Sequence, residues 1–121
     1  MPGKAVLRQL VDRDGFHCRF CGIPVIRAEV RARIRAAYPE ALRWGNRNAE
    51  QHAAFQALWL TYDHLVPHAR GGTNDPENVF VACQPCNCGR ANLTLEEAGL
   101  LDPREREPVR SEWDGLERFR V

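Results

Sequence analysis

Apolar residues recur every three to four positions in three segments of the first half of the chain, and this spacing is typical of amphipathic helices. The predicted helices span residues 3–14, residues 25–38, and a stretch from position 46 or 48 to about residue 60. Pro39 ends the second helix, because proline lacks the amide hydrogen that a continuing helix needs. The first half is therefore predicted to be mainly helical.

The second half changes to short apolar runs separated by turn-forming residues. Residues 61–66 and 79–82 are predicted to be strands, and the twelve glycine-, proline- and asparagine-rich residues between them to be a loop. A helix is predicted over residues 85–93. The sequence Thr94-Leu95-Glu96-Glu97 has the pattern of a capping box, which predicts one further helical turn.

The composition is that of a folded protein. The chain has 121 residues, of which 44% are hydrophobic and 27% charged, so whole-chain disorder and fibrous repeats are excluded. No apolar run approaches the roughly 20 residues that cross a bilayer, and residues 1–12 lack the apolar segment of a secretion signal. These features predict a cytoplasmic protein with no membrane partner.

The length and the absence of a long linker predict one domain over residues 1–121. Within it we expect a core of residues 16–25 and 61–93, a helical insertion of residues 26–60, and a C-terminal extension of residues 94–121. The polar end of that extension is expected to attach through its large apolar residues, which are Trp113, Leu116 and Phe119.

The charge is unevenly divided along the chain. Residues 1–62 hold ten basic and five acidic residues, a net charge of +5, whereas residues 63–121 hold seven and eleven, a net charge of −4. Such asymmetry suits a basic face for an anionic partner, although two ordinary solvated surfaces would give the same count. Charge alone does not decide between these two interpretations.

The cysteines are more informative. Cys18 and Cys21 form one C-x-x-C pair, and Cys83 and Cys86 form another after 61 intervening residues. Two such pairs can complete a tetrahedral site for a structural Zn²⁺, which would join distant parts of the chain. Structural zinc contributes roughly 10–16 kcal/mol of apparent binding free energy, so folding is expected to require the metal.

Two alternatives accompany the zinc interpretation. Cys88 could replace Cys86 as a ligand or be a spare small hydrophobic residue. The C-x-x-C pairs could instead be redox-active thiols, although no βαβ pattern supports a thioredoxin-like fold.

Residues 63–87 contain further side chains that could bind a metal ion or take part in catalysis. Asp63 and His64 are adjacent at the end of a predicted strand, so their side chains point to opposite faces and can act on a cation and on a water separately. Asn87 follows the second C-x-x-C pair, and its amide oxygen with the Asp63 carboxylate would form an open oxygen shell of the kind that holds Mg²⁺. Gly71-Gly72 permits a sharp turn and a close backbone approach to a phosphate.

Together these motifs resemble the HNH, or ββα-metal, endonuclease family. The resemblance consists of C-x-x-C, then Asp-His-x-x-Pro with Gly-Gly following, a central Asn, and C-x-x-C-Asn with a basic residue. It covers about a third of the chain. The matching positions are Cys18, Cys21, Asp63, His64, Pro67, Gly71, Gly72, Asn78, Cys83, Cys86, Asn87 and Arg90.

The resemblance implies an α+β fold in which a β-hairpin and a helix surround a catalytic divalent ion, with treble-clef-like zinc knuckles as a brace. It implies that His64 is the general base for hydrolysis of a DNA phosphodiester, that Asn78 orients His64, and that Asp63 and Asn87 hold the ion. Asn87 stands where the family name has a histidine, which favours Mg²⁺ or Mn²⁺ over softer metals.

The expected partner is DNA, bound mainly through backbone phosphates, with a homodimer or an accessory specificity protein as further possible partners. The candidate DNA-contacting residues are Arg70, Arg90, His68, Arg27, Arg31 and Arg35. The last three recur every four residues on the second predicted helix and can equally be a solvated helix face. The alternative function is a zinc-braced nucleic-acid-binding module without catalysis.

Overall fold

The computed structural model describes residues 2–119. Its order of elements is helical in the first half and strand–strand–helix in the second. The elements are α1 (Lys4–Asp14), α2 (Ala28–Ala37), α3 (Ala53–Ala57), β1 (Leu60–His64), β2 (Val79–Cys83), α4 (Gln84–Arg90) and α5 (Leu95–Ala98). Short 3₁₀ turns lie at residues 48–50, 68–70, 76–78 and 103–105.

The second half forms a β-hairpin followed directly by a helix. β1 and β2 pair antiparallel, with Leu60 opposite Cys83 and His64 opposite Val79. α4 starts at the residue after β2, which has every residue buried. The prediction of a mixed α+β fold with a ββα unit is confirmed.

The predicted second helix starts three residues late. Ile26 lies in a parallel bridge with Trp59, where its amide donates to the Leu58 carbonyl at 2.7 Å and its carbonyl accepts from the Leu60 amide at 2.9 Å. These bonds hold Ile26 in an extended conformation, so α2 begins only at Ala28. The insertion is thereby joined to the start of the hairpin.

The predicted third helix is wrong in its extent. Only α3 and the 3₁₀ turn at residues 48–50 are helical in that stretch. Trp59 lies in the bridge described above and its carbonyl accepts from the Gln84 amide at 2.9 Å, so the end of the stretch belongs to the hairpin. Tertiary backbone pairing therefore overrides the helical spacing of Phe55 and Trp59.

Two smaller elements, α4 and the capping box, lie close to where the sequence predicted them. α4 ends at Arg90 rather than at residue 93, because Ala91 has a φ of 49° and leaves the helical conformation. The capping box is confirmed: the Thr94 hydroxyl accepts from the Glu97 amide at 3.2 Å, and the Glu97 carboxylate accepts from the Thr94 amide at 2.9 Å.

The apolar core lies between the hairpin and the first cysteine knuckle. Its buried members come from both segments that the sequence assigned to the core, together with Leu60 at the start of β1. They are Cys18, Phe20, Val25, Leu60, Leu65, Phe80, Val81, Ala82 and Cys83.

A buried carboxylate attaches α1 to this core. Asp14 is fully buried and accepts from the Val81 amide at 3.0 Å and from the guanidinium groups of Arg13 and Arg19. Arg13 also donates to the carbonyls of Pro76 and Val79, at 2.7 Å each. α1 thus holds the end of the loop that leads into β2.

The C-terminal extension is attached by polar bonds as well as by the predicted apolar residues. The Trp113 indole donates to the Val25 carbonyl at 3.0 Å, Phe119 packs edge-on to Tyr38 with ring centroids 6.2 Å apart, and Leu116 is half-buried. Arg106 donates to the Phe20 carbonyl at 2.6 Å. Residues 120 and 121 of the predicted tail lie outside the described residues.

None of the helices within residues 2–119 combines the length and the apolar character that a bilayer crossing requires.

Candidate functional site

The two C-x-x-C pairs meet in space. Cys18 and Cys21 lie in the knuckle after α1, Cys83 ends β2, and Cys86 lies in the first turn of α4. Their four sulfur atoms all lie within 4.8 Å of one another. The predicted joining of distant chain segments at one metal-binding cluster is therefore present in the fold.

The cluster has the dimensions of a zinc site. The Sγ atoms of Cys21 and Cys83 are 3.7 Å apart, and tetrahedral Zn–S bonds of about 2.3 Å place neighbouring sulfurs about 3.8 Å apart. Backbone amides of Phe20 and Cys21 point at the Cys18 sulfur at 3.4 and 3.5 Å, and the Cys86 amide points at Cys83 at 3.5 Å. Such N–H···S contacts support thiolate ligands, so the residues fit Zn²⁺.

The shifted pKa values of the clustered thiols also favour binding of a cation. Hydrogen bonding from Cys83 lowers the pKa of Cys18 to about 4, while burial is the main cause that raises the pKa of Cys86 to about 12. The pKa of Cys83 is raised chiefly by its bond to Cys18 and also by burial. Because one thiolate opposes ionisation of its neighbours, a divalent ion is what allows all four to bind as thiolates.

Cys88 lies outside the cluster. Its side chain is exposed, and its sulfur is 3.1 Å from the Gln84 amide nitrogen within α4. Cys86 rather than Cys88 is thus the fourth member, and Cys88 is not a buried hydrophobic residue. Four sulfurs around one point are more than a dithiol redox centre uses, which disfavours the redox interpretation.

His64 lies at the end of β1 beside a second histidine. The His64 Nε2 atom is 2.9 Å from the Asn74 side-chain oxygen, and the His68 Nε2 atom is 2.8 Å from the same oxygen. The two imidazole rings have centroids 4.4 Å apart. His64, His68 and Asn74 therefore form one group, which we call the imidazole cluster.

The sequence did not single out Asn74, because Asn74-Asp75-Pro76 has the pattern of an ordinary turn. Its location near His64 arises from the loop between β1 and β2, which folds back across the end of β1.

Asn78 acts on the loop rather than on the histidine. Its side-chain oxygen accepts from the Val66 amide at 2.9 Å, and its amide group donates to the carbonyls of Val66 and Thr73 at 3.1 and 2.7 Å. The expectation that Asn78 bonds across the loop is met in this way, but Asn74 is the residue that contacts the His64 ring. Asn78 shapes the loop that carries Asn74.

The prediction that Asp63 holds a divalent ion does not agree with the structure. Asp63 is 4% exposed, and its two oxygens accept from Arg90 Nε at 3.1 Å and from Arg90 Nη2 at 2.6 Å. Burial raises the pKa of the Asp63 carboxyl, and Arg90 opposes that rise. With both oxygens bound to a guanidinium inside the protein, Asp63 is a structural partner of Arg90, and a cation would have to displace that guanidinium to bind it.

Arg90 is likewise corrected as a DNA contact. It is 1% exposed, and its guanidinium also donates to the carbonyls of Leu65 and Leu93 at 2.9 and 2.8 Å and to that of His64. A side chain enclosed in this way cannot reach a phosphate. Asn87, the other expected ion ligand, is half-buried in α4.

The paired glycines have a backbone role within the loop. Gly71 has a φ of 89°, a conformation that favours glycine, and a Cβ on Gly72 would lie 1.6 Å from the Val66 carbonyl oxygen. The sequence predicted that these glycines let the backbone approach a phosphate closely. In the structure, Gly72 instead lets the backbone approach the Val66 carbonyl.

The structure separates the remaining arginines that the sequence grouped together. Arg70 pairs with the Glu97 carboxylate, and Arg27 pairs with Glu117 at 2.7 Å. Both are thus already neutralised by acidic partners. The other two arginines, Arg31 and Arg35, lie on α2 itself.

Comparison with known proteins agrees with this geometry. A family model described as HNH endonuclease matches residues 52–98, a segment that includes the hairpin, α4 and α5. The comparisons with curated proteins and with solved structures returned no match. Residues 52–98 of this chain are therefore similar to HNH endonucleases, and the four clustered cysteines could hold zinc.

Proposed function

We propose that this protein is a metal-dependent DNA endonuclease in which His64 is the general base for phosphodiester hydrolysis. The family match supports a nuclease in general. The observation that carries the more specific proposal is the contact of His64 Nε2 with the Asn74 oxygen, because it bears on the protonation of the imidazole.

An amide oxygen only accepts hydrogen bonds, so a neutral His64 ring carries its proton on Nε2. The lone pair then lies on Nδ1, which is the nitrogen free to take a proton from water. His68 offers its own Nε2 to the same oxygen. Asn74 therefore holds two imidazoles in one tautomer, and this is the arrangement a general base needs.

The proposed step is hydrolysis with in-line attack. Water gives a proton to Nδ1 of His64, the resulting hydroxide oxygen bonds to phosphorus, and the bond from phosphorus to the 3′-oxygen breaks. The departing 3′-oxygen takes up a proton from solvent water and His64 returns its proton to solvent, so the products are a 5′-phosphate and a 3′-hydroxyl. One such centre cuts one strand, so a double-strand break would take a homodimer, an accessory protein or two successive events.

A divalent ion, Mg²⁺ or Mn²⁺, would neutralise charge on the phosphate when bound. The pair of ligands expected from the sequence does not fit it, since Arg90 binds both oxygens of Asp63. The proposed hydrolysis therefore assigns a role to the His64 imidazole and to no metal ligand. Dependence on Mg²⁺ or Mn²⁺ is part of the proposal because the HNH resemblance implies it, and a cleavage assay with each ion measures it.

The test is cleavage of supercoiled plasmid by the zinc-loaded protein with Mg²⁺, with Mn²⁺ and with a chelator of these ions. We expect nicked circles with at least one ion, and a loss of about 10²–10⁴-fold in rate for His64→Ala. His52→Ala is the matched control, because His52 packs on Phe55 outside the imidazole cluster. Unchanged cutting by His64→Ala at equal zinc content would reject His64 as the base.

The second candidate is a zinc-braced nucleic-acid-binding module without catalysis. The engagement of Asp63 by Arg90 favours it, because the carboxylate next to His64 in the sequence is then occupied by a guanidinium. Salt-sensitive DNA binding by the intact protein with no cutting under any ion would support this alternative.

A further inference from the structure

A groove lies along α2, in the insertion that precedes the family-matched segment. Its volume is about 410 Å³, within the range of roughly 300–1,000 Å³ that ligand-binding clefts occupy. The lining combines two basic side chains, one tryptophan and small apolar residues. These residues are Arg31, Ala32, Arg35, Ala36, Pro39 and Trp44. We call this feature the α2 groove.

Arg31 is held against aromatic rings instead of a carboxylate. Its guanidinium carbon lies 3.7 Å from the Trp44 ring centroid and 4.9 Å from the Trp59 centroid. The Nη1 atom is buried without a hydrogen-bond partner anywhere in residues 2–119. Burial lowers the pKa of Arg31. A guanidinium stacked on tryptophan and lacking an acceptor is prepared for an anionic ligand.

Arg35 lies one helical turn from Arg31 and is exposed. The part of the chain that the structure describes gives Arg35 no ion pair, whereas Arg27, just before the start of α2, pairs with Glu117. Two like charges at i and i+4 destabilise a helix slightly unless a counter-charge binds them. Arg31 and Arg35 thus form a positive patch in the α2 groove that no ion pair within residues 2–119 neutralises.

We propose that the α2 groove binds a strand of nucleic acid, with phosphates on Arg31 and Arg35 and a base against Trp44. The proposal rests on the proposed function, because it locates a substrate strand. Guanidinium groups bind phosphate oxygens in pairs, and an indole accepts a nucleobase of any sequence by stacking. An acidic peptide would satisfy the charges but would make no use of the indole.

The position of the groove relates it to the candidate base. Trp59, which stacks on Arg31, directly precedes β1, and His64 ends that strand. Five residues at about 3.3 Å each separate them by about 17 Å. A nucleic-acid strand in the α2 groove would therefore lie near the start of β1, and His64 lies at the other end of β1.

The test measures binding separately from cutting. Fluorescence anisotropy of a labelled twelve-nucleotide DNA strand is followed with the zinc-loaded protein and no Mg²⁺ or Mn²⁺. Arg35→Gln is expected to weaken the affinity about 3–10-fold and to lower the salt slope by about 0.7. Arg8→Gln is the matched control, since Arg8 is an exposed arginine on α1. Trp44→Leu is expected to weaken affinity with the salt slope unchanged.

Equal affinities for Arg35→Gln and Arg8→Gln would overturn the proposal. A competition experiment could also overturn it. If oligoglutamate of matched charge displaced the labelled strand at the same concentration as unlabelled DNA does, the groove would recognise charge alone. Arg31→Gln removes the stacked guanidinium and is interpreted only if zinc content and near-ultraviolet circular dichroism match the wild type. Strand binding that depends on Arg35 without any plasmid cutting would support the α2 groove while rejecting the nuclease activity.

Discussion

Asp63 and Arg90 form a buried ion pair with two hydrogen bonds, and Asp63 directly precedes the candidate base, His64. The same guanidinium donates to the Leu65 and Leu93 carbonyls, so it ties the end of β1 to the end of α4. The carboxylate that the HNH resemblance assigns to a cation is here part of the support beneath the site.

This pair predicts a loss of stability when one partner is removed. Asp63→Ala leaves the Arg90 guanidinium buried without its carboxylate, which should lower the free energy of unfolding by about 3–5 kcal/mol. Arg47→Ala removes a solvent-exposed pair with Glu50 and should change it by less than about 1 kcal/mol. Urea denaturation of the zinc-loaded protein measures both. An Asp63→Ala variant with normal stability and altered Mg²⁺ dependence would instead identify Asp63 as an ion ligand.

The imidazole cluster predicts a role for Asn74 that the sequence did not suggest. Asn74→Ala removes the oxygen that both Nε2 atoms contact, so the His64 ring loses its fixed orientation. We expect kcat for plasmid nicking to fall about tenfold with little change in KM, because substrate binding is not touched. Asn74→Asp keeps an acceptor and should retain most activity, and Asn46→Ala serves as a loop control. Equal kcat for Asn74→Ala and Asn46→Ala would contradict this role.

The close approach at Gly72 predicts that alanine is not accepted there. The added methyl group would overlap the Val66 carbonyl and lie 3.0 Å from the Asn78 amide nitrogen, so the loop between β1 and β2 must shift. Plasmid nicking should fall by at least about tenfold, since small displacements of reacting groups are costly. Gly89→Ala is the control, because nothing lies within 4 Å of its added carbon. Retained nicking by Gly72→Ala would show that the loop conformation is not needed.

The cysteine cluster predicts which thiols hold the metal. Cys83→Ser should lower zinc content measured by elemental analysis and abolish cooperative unfolding, because Cys83 connects β2 to both knuckles. Cys88→Ser should retain wild-type zinc content. Because bound thiolates must lose their protons, zinc affinity should also fall as the pH is lowered. Full zinc content in Cys83→Ser would refute the assignment of the four ligands.

Local signals determined much of the architecture from the sequence alone. The two strands, α1, α4 and the Thr94–Glu97 capping box each depend on residues close together in the chain, so spacing and turn chemistry were enough to predict them, whereas the pairing of the strands into a hairpin was implied by the HNH resemblance. The meeting of the two C-x-x-C pairs was also predictable, because a tetrahedral ion demands four ligands whatever chain length separates them.

Only the tertiary structure decided what each polar side chain contacts. Asp63 and Arg90 have the same identities whether they face a cation, a phosphate or each other, and their enclosure in the interior is what selects the ion pair. Asn74 reaches His64 through a loop whose path no local pattern specifies. Side-chain roles depend on burial and on distant partners, whereas the elements that carry those side chains depend mostly on near neighbours in the chain.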